Sequence, residues 1–326
     1  MTEKPKSINS LMKYLRNHHN IEIKGVVQKR KLRNIGYYHG FKGYRYNKHP
    51  MYRITYTDFN QILAINEFDM ALKTMFYPQI MFTESALKNY ALEIILEESK
   101  TANFNDIFNE WLSDYKTYTV PSGYKKVLQK LLSLRAKVYS TLTYAYSNDK
   151  KVITHFYYKN ENVPIWAIFE VISLGEFGTF VQCLSPTTKG KISKSLSLNQ
   201  SCDFNAKLTQ SIIYIVKDLR NAVAHNEIIF DTRFRNTDIG YNVKKCIEID
   251  VGIKDVIFEN IVDYLILITY LLKNFKVPKL ELLKTISSFE NAAETLRKKI
   301  PISMYMSILP TDTKNKLTQL KAYARK

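Results

Sequence analysis

The chain has 326 residues, 45% hydrophobic and 24% charged, an ordinary globular balance that excludes a chain too polar to build a core and allows one large or two modest domains. Forty-eight Lys and Arg against thirty Asp and Glu leave a formal charge of +18, which implies a polyanionic partner or surface and is compatible with DNA, RNA or anionic lipid. Cys183, Cys202 and Cys246 are isolated, without Cys-x-x-Cys spacing, which argues against a zinc site or a disulfide framework and suits a reducing cytosol.

Met1 to Ser10 is polar and lacks the apolar core of a signal peptide. Residues 1 to 60 hold thirteen Lys or Arg and three acids, a local net charge of +10. Ser7 is predicted to cap a helix to about His19 with Ile8, Leu11, Met12 and Leu15 on one face. Gly25 separates it from a second helix, Val26 to Ile35, that carries Lys29, Arg30, Lys31 and Arg33. From Gly36 to Tyr46, Gly36, Gly40 and Gly43 interleave with Tyr37, Tyr38, Phe41 and Tyr44 and with His39, Lys42 and Arg45, so an irregular path is expected. Such a segment can stack on bases and neutralise phosphates, or its rings can pack a small module against the main body. Packing suits Tyr37 and Tyr38, and the cations are the better candidates for nucleic-acid contact.

Asp58 is predicted to cap a helix to about Phe76 with Phe59, Ile62, Leu63, Phe68, Leu72 and Met75 inward. Pro78 should break it and start another to about Glu98. Residues 61 to 110 carry eight acids against three bases, which turns this scaffold away from a polyanion. Glu67, Asp69, Glu93 and Glu97 read as its solvated face rather than as metal ligands. After a break at Thr119 to Gly123, a helix from Tyr124 to Tyr146 should turn Val127, Leu128, Leu131, Leu134 and Val138 inward and Lys125, Lys126, Lys130, Arg135 and Lys137 outward. With eight bases and one acid, residues 121 to 159 form a second basic stripe. Ile165, Ile168, Phe169 and Ile172 recur at helical spacing, so Trp166 is expected in the core. Gly175 and Gly178 should end that helix, and Ser185 to Lys194 reads as a basic connection with one short helix.

Leu208, Ile212, Ile215 and Leu219 recur at threes and fours, so one face of the next helix is buried and Arg220, Asn221 and His225 emerge near its carboxyl end. Asn221 and His225, four apart, share a face on which the amide can orient the imidazole. Arg220 lies roughly 140° around the helix from His225, so its long side chain must wrap back or a second copy of the helix must supply the partner. An imidazole that exchanges protons near neutral pH beside a permanent cation suits RNA cleavage by its own 2′-hydroxyl, which needs no metal or other cofactor. The plainer reading makes His225 a helix cap and Arg220 a surface ion-pair partner. Beyond the motif, Arg233 and Arg235 fall in a loop, and Lys244 to Asp250, with Ile247 and Ile249 alternating, suggests a short extended edge. Lys254 to Leu272 returns to helix, its apolar run interrupted by Glu259, Asn260 and Asp263 and so buried rather than membrane-spanning. Pro278 starts a helix to about Lys299, and Lys314 to Lys326 forms a last basic helix anchored by Leu317 and Leu320 alone. No repeat, P-loop, dinucleotide turn or nucleophile elbow is present.

Arg220, Asn221 and His225 resemble the Arg-polar-x-x-x-His motif of HEPN domains, helical modules that are often metal-independent ribonucleases working as dimers. Leu32, Ile35, Gly36, Tyr37, Tyr38 and Tyr44 are similar to the amino-terminal signature of the Abi-like (abortive infection, AbiD/AbiF-type) phage-defence proteins. Pro164, Trp166, Glu170, Ser173 and Gly175 resemble that family's second signature. The resemblance implies an all-α protein, a HEPN-like helical domain over 58–326 preceded by a small basic helical module over 1–57. It implies a cytoplasmic, homodimeric, RNA-directed defence protein without a membrane anchor. It also implies catalysis by Arg220, Asn221 and His225 and pairing of Glu170 with Arg220. RNA contact is expected from Lys29, Arg30, Lys31, Arg33, Lys42, Arg45, Lys125, Lys126, Lys130, Arg233 and Arg235. The alternative implied function is non-catalytic binding of a dedicated structured non-coding RNA.

Overall fold

The computed structural model describes residues 6–326. Within them the chain forms fifteen α-helices and three short 3-10 turns, and β pairing is limited to isolated bridges. The expected all-α class is therefore observed. Helices α1 (Ile8–His19) and α2 (Gly25–Gly40) come first and join the common core through Met12, Leu15 and Leu32. Ser7 caps α1 by accepting the Ser10 amide at 3.2 Å. Gly36, at φ +71, kinks α2, so the path from Tyr37 to Gly40 is a further helical turn rather than irregular coil. Tyr38 is exposed, while Tyr37 packs on Tyr14 and Phe41.

Helix α3 (Phe59–Ser99) is the mast of the molecule, 41 residues long and so about 60 Å. Asp58 and Gln61 close a capping box at its start. Pro78 lies inside it and does not end it, contrary to the sequence expectation. A proline there costs about 3 kcal/mol and strips Thr74 of its backbone donor. Burial of Phe68, Leu72 and Phe76 before it and of Ile80, Leu87 and Ala91 after it, in one core, outweighs that cost. Asp69 departs further from its expected solvated position, being 0% exposed. The stripe Ile65, Phe68, Asp69, Leu72, Lys73 and Phe76 runs at threes and fours, so the acid and its partner Lys73 ride on the buried face.

Short α4 (Phe104–Glu110) precedes α5 (Pro121–Ser147), α6 (Lys151–Tyr158), α7 (Ile165–Val171), α8 (Leu174–Cys183) and α9 (Pro186–Ser195). Arg135 of α5 does not face water freely; it lies 4.8 Å over the Phe108 ring and donates to Asn105. Gly175 and Gly178 sit inside α8, because Ser173 and Glu176 form a capping box that restarts the helix two residues after α7 ends. A Cβ on Gly178 would press on Ile213 and Tyr214 at 3.1 Å, so this glycine serves the close approach of two helices. Trp166 is 43% exposed, packed edge-on against Phe156; Ile165, Ala167, Ile168 and Phe169 take the interior instead.

The motif helix α10 (Leu208–Ala224) lies between α3, α8 and α9. Residues 244 to 250 belong to helix α11 (Tyr241–Val251) and not to an extended edge. Its buried Val243, Cys246, Ile247 and Val251 follow helical spacing, and Ile249 points to solvent. Helix α12 (Ile261–Asn274) begins later than expected, after a loop whose Ile257 and Phe258 amides bind the Asp263 carboxylate. Helix α13 (Lys279–Lys299) lies along α3, followed by α14 (Ile302–Ile308) and α15 (Thr313–Arg325). Leu317 and Leu320 are buried but are not α15's sole anchors: Lys316, also buried, donates to Asp263 at 2.9 Å and to the Asp255 carbonyl at 2.8 Å. The apolar core is continuous from Met12 to Ala324.

Candidate functional site

The lower face of α10 is dictated by its apolar stripe: Leu208, Ile212, Ile215 and Leu219 are all buried. The helix stops at His225 through a Schellman arrangement. Asn226 is left-handed at φ +55, the Glu227 amide reaches back to the Ala222 carbonyl at 2.8 Å, and the Asn226 amide reaches Val223 at 3.4 Å. His225 thus closes the helix with its backbone, while its imidazole is exposed and has no partner among the described residues.

Arg220 points elsewhere. Its Nε donates to Glu84 Oε2 at 3.0 Å and its Nη1 to Asn221 Oδ1 at 3.3 Å. The partner is therefore Glu84 of α3 and not Glu170, which is exposed on the outer face of α7. Glu84 is itself held by Lys88 at 3.0 Å, and Lys88 also donates to the Ile172 carbonyl. The Asn221 carboxamide oxygen is engaged by Arg220 rather than by the imidazole.

The backbone that leaves the motif is seated on Asp69. One carboxylate oxygen accepts the Ile229 and Phe230 amides, each at 2.8 Å. The other takes Lys73 Nζ at 2.7 Å and the Tyr44 hydroxyl at 3.2 Å. Lys73 also donates to Asn226 Oδ1 at 2.8 Å. Burial and the neighbouring carboxylate push the Tyr44 hydroxyl well above its ordinary pKa, so it stays a donor. His39 nearby is held below its ordinary value by burial and then by Lys73, partly opposed by Asp69.

Arg233 clamps the same junction. It forks onto Asp231, donates to the carbonyls of Gly43 and Tyr46 at 2.8 Å each, and lies 4.4 Å over the Tyr46 ring. Gly43 comes so near Ile228 that a Cβ would collide with its Cδ1. Arg235 is exposed, with its Nη1 toward the Phe258 carbonyl at 3.3 Å. Asp69, Lys73 and Glu84 are the residues that sequence reasoning missed. For the first two a signal existed, since they occupy the fourth and eighth places after Ile65 in an apolar stripe, where a solvated charge does not belong. No local signal ties Glu84 to Arg220, 136 residues away.

Arg30, Lys31, Arg33 and Lys42 are exposed on or just after α2, with Lys29 and Arg45 half-buried. Lys125 and Lys126 are exposed on α5, with Lys130 half-buried. No ion pair engages any of these nine among the described residues. Lys126 and Lys130 open onto a pocket of about 430 Å³ that Lys137, Gln182 and Tyr214 of α10 also line. The α5 lysines thus reach Tyr214 near the middle of α10, while Gly43, beside Lys42 in sequence, packs against Ile228 in the segment after His225. All three cysteines are buried and free, and burial pushes the Cys183 and Cys246 thiols up to about 12. Among the described residues no helix is long and apolar enough to cross a membrane.

Compared with known families, residues 30–231 match the Abi-like protein family. The matched span runs from α2 to Asp231, and so includes both the motif helix and the Asp69 junction. No curated protein and no solved structure matches the chain.

Proposed function

We propose, from the premise that this chain belongs to the Abi-like family, that it is an abortive-infection protein of the AbiD/AbiF type directed at RNA, and that it is a metal-independent HEPN endoribonuclease. The observation that carries the reading is the exposed, unengaged imidazole of His225 at the end of the helix that bears Arg220 and Asn221. His225 as general base takes the 2′-hydroxyl proton, the freed oxygen attacks phosphorus, and the bond to the 5′-oxygen breaks as that oxygen regains a proton. Arg220 offsets the charge that builds on the phosphate, and Asn221, already bonded to Arg220, holds the pair in register. Two copies across a two-fold axis supply a second imidazole as the acid, which makes the working form a cytoplasmic homodimer. The products carry a 2′,3′-cyclic phosphate and a 5′-hydroxyl.

In this reading residues 1–57 are an RNA-gripping module on a HEPN-like domain over 58–326. Lys29, Arg30, Lys31, Arg33, Lys42 and Arg45 hold the strand on one side and Lys125, Lys126 and Lys130 on the other, with Arg235 beside the site. Arg233 acts indirectly, by holding the module in place. The test is cleavage of single-stranded RNA by the full chain in EDTA, with end-group analysis. Wild type is expected to cleave, while His225→Ala slows cleavage by about a hundredfold or more and keeps RNA affinity. Cleavage at the wild-type rate by His225→Ala, or its arrest by EDTA, overturns the mechanism.

One observation favours a second reading, a non-catalytic binder of a dedicated structured non-coding RNA. Arg220 is already neutralised by Glu84, as a restrained motif would be. Isolation of the wild-type protein with one intact, uncleaved RNA species supports the binder; fragments with cyclic-phosphate ends support the enzyme.

A further inference from the structure

The amino-terminal module contains a pocket of about 240 Å³, separate from the α10 motif, that gathers His18, His19, Arg45 and Arg53 and no acid. Arg45 and Arg53 come from the two sides of a loop closed by a bridge between Tyr46 and Arg53. His18 and His19 come from the last turn of α1. Phe41 and Tyr56 help to form a floor, the Tyr56 hydroxyl turned away to donate to the Tyr44 carbonyl at 2.6 Å. Arg45 Nε and His19 Nε2 are buried without any hydrogen-bond partner. Buried polar atoms of this kind are ordinarily satisfied, and here no acidic side chain lines the pocket to satisfy them.

We propose that this pocket binds a phosphate monoester, the 5′-phosphate at the end of an RNA strand. A monoester brings three oxygens and a charge of about −1.5 to −2. Two guanidinium forks and two protonatable rings match it, and a low-dielectric floor strengthens each contact. A bridging phosphodiester carries one charge and two substituents, and both must leave the pocket. Without an anion, His19 is held below its ordinary pKa by burial and then by Arg45, His18 and Arg53; the rings of Phe41 and Tyr14 lie against it, and Tyr56 shares the pocket. An anion reverses that balance and protonates the ring.

Only the identification of the carrier as RNA rests on the function proposed above. The consequence for that function is substrate choice. Cleavage through the 2′-hydroxyl leaves the upstream fragment with the substrate's own 5′ end and the downstream fragment with a 5′-hydroxyl, so the pocket passes over the downstream product. It takes strands made by hydrolytic cleavage that leaves a 5′-phosphate.

The test uses full-length His225→Ala, so that the strand survives, with one short single-stranded RNA carrying either a 5′-phosphate or a 5′-hydroxyl. Fluorescence anisotropy near pH 6.5 is expected to show about tenfold tighter binding of the phosphorylated strand, the scale of one charge-assisted hydrogen bond. Arg45→Gln and Arg53→Gln should each erase the difference; Arg53 is exposed, so its variant keeps the fold even where the other does not. Inorganic phosphate at millimolar level should raise the His19 titration midpoint in selectively labelled protein. Equal affinity for both strands with an unmoved midpoint overturns the site. A midpoint that moves while the strands bind equally overturns the strand-end assignment and leaves a site for free phosphate. Cleavage by wild type is scored separately, so a protein that prefers the 5′-phosphate but cuts nothing refutes the nuclease and leaves the pocket standing.

Discussion

Replacing Asp69 by Ala should be among the most damaging single changes in the chain. The carboxylate is fully buried and receives four donors: the Ile229 and Phe230 amides, the Tyr44 hydroxyl and Lys73. Each buried donor left without an acceptor costs about 1–3 kcal/mol, and removing one partner of a buried ion pair costs about 3–5 kcal/mol. These costs overlap, because Lys73 keeps Asn226 Oδ1 at 2.8 Å, so the expected loss is about 4 kcal/mol. Against a typical total of about 5–15 kcal/mol, that leaves a marginal protein. Urea unfolding followed by circular dichroism measures it, and hydrogen exchange at Ile229 and Phe230 shows whether the segment after His225 opens first. Asp69→Asn should lose less, since an amide oxygen still serves both backbone donors. Asp69→Leu with Lys73→Met should recover part of the loss of Asp69→Ala by removing the stranded charge. A loss below about 1 kcal/mol for Asp69→Ala, or identical losses for Ala and Asn, would refute the keystone role.

Arg233→Lys cannot reproduce the fork onto Asp231 together with the Gly43 and Tyr46 carbonyls, so it should cost about 2 kcal/mol by chemical denaturation and expose the amino-terminal module to limited proteolysis. Glu84→Gln releases Arg220, and RNA affinity at low salt is expected to rise about threefold, a gain that shrinks as salt is added; unchanged affinity means that Arg220 does not meet the strand. His19 and His39 both have folded pKa values below the ordinary 6.5. Their stabilising contribution is therefore present above pH 6.5 and is lost as pH falls through the lower folded values, so thermal stability should drop on mild acidification. The double variant His19→Gln, His39→Gln should flatten that part of the pH profile, and an unflattened one assigns the acid sensitivity elsewhere.

What was legible from residues alone concerns periodic burial and local chemistry. Ser7, Asp58 and the stripe Leu208, Ile212, Ile215, Leu219 announce helix starts and a buried face because caps and helical spacing act over a few residues. The same locality explains the misreadings. Pro78 and Gly175 are breakers by propensity, yet packing on both sides of Pro78 and the Ser173–Glu176 box that spans Gly175 override them. Ile247 and Ile249 look alternate until Val243, Cys246 and Val251 are seen facing the core with Ile247.

By itself the sequence determined the helical class, the uneven positive charge, and the exposure of His225 just past the end of an apolar helix, since each depends on neighbours within a turn or two. Only the tertiary structure decided what the charges near that helix do. It gave Arg220 to Glu84 and not to Glu170, made Asp69 the seat of the segment after the motif, turned Arg233 inward as a clamp, and drew His19, Arg45 and Arg53 into one acid-free pocket. A charged side chain takes the partner that the fold brings within about 3 Å, and those partners lie tens to hundreds of residues away along the chain.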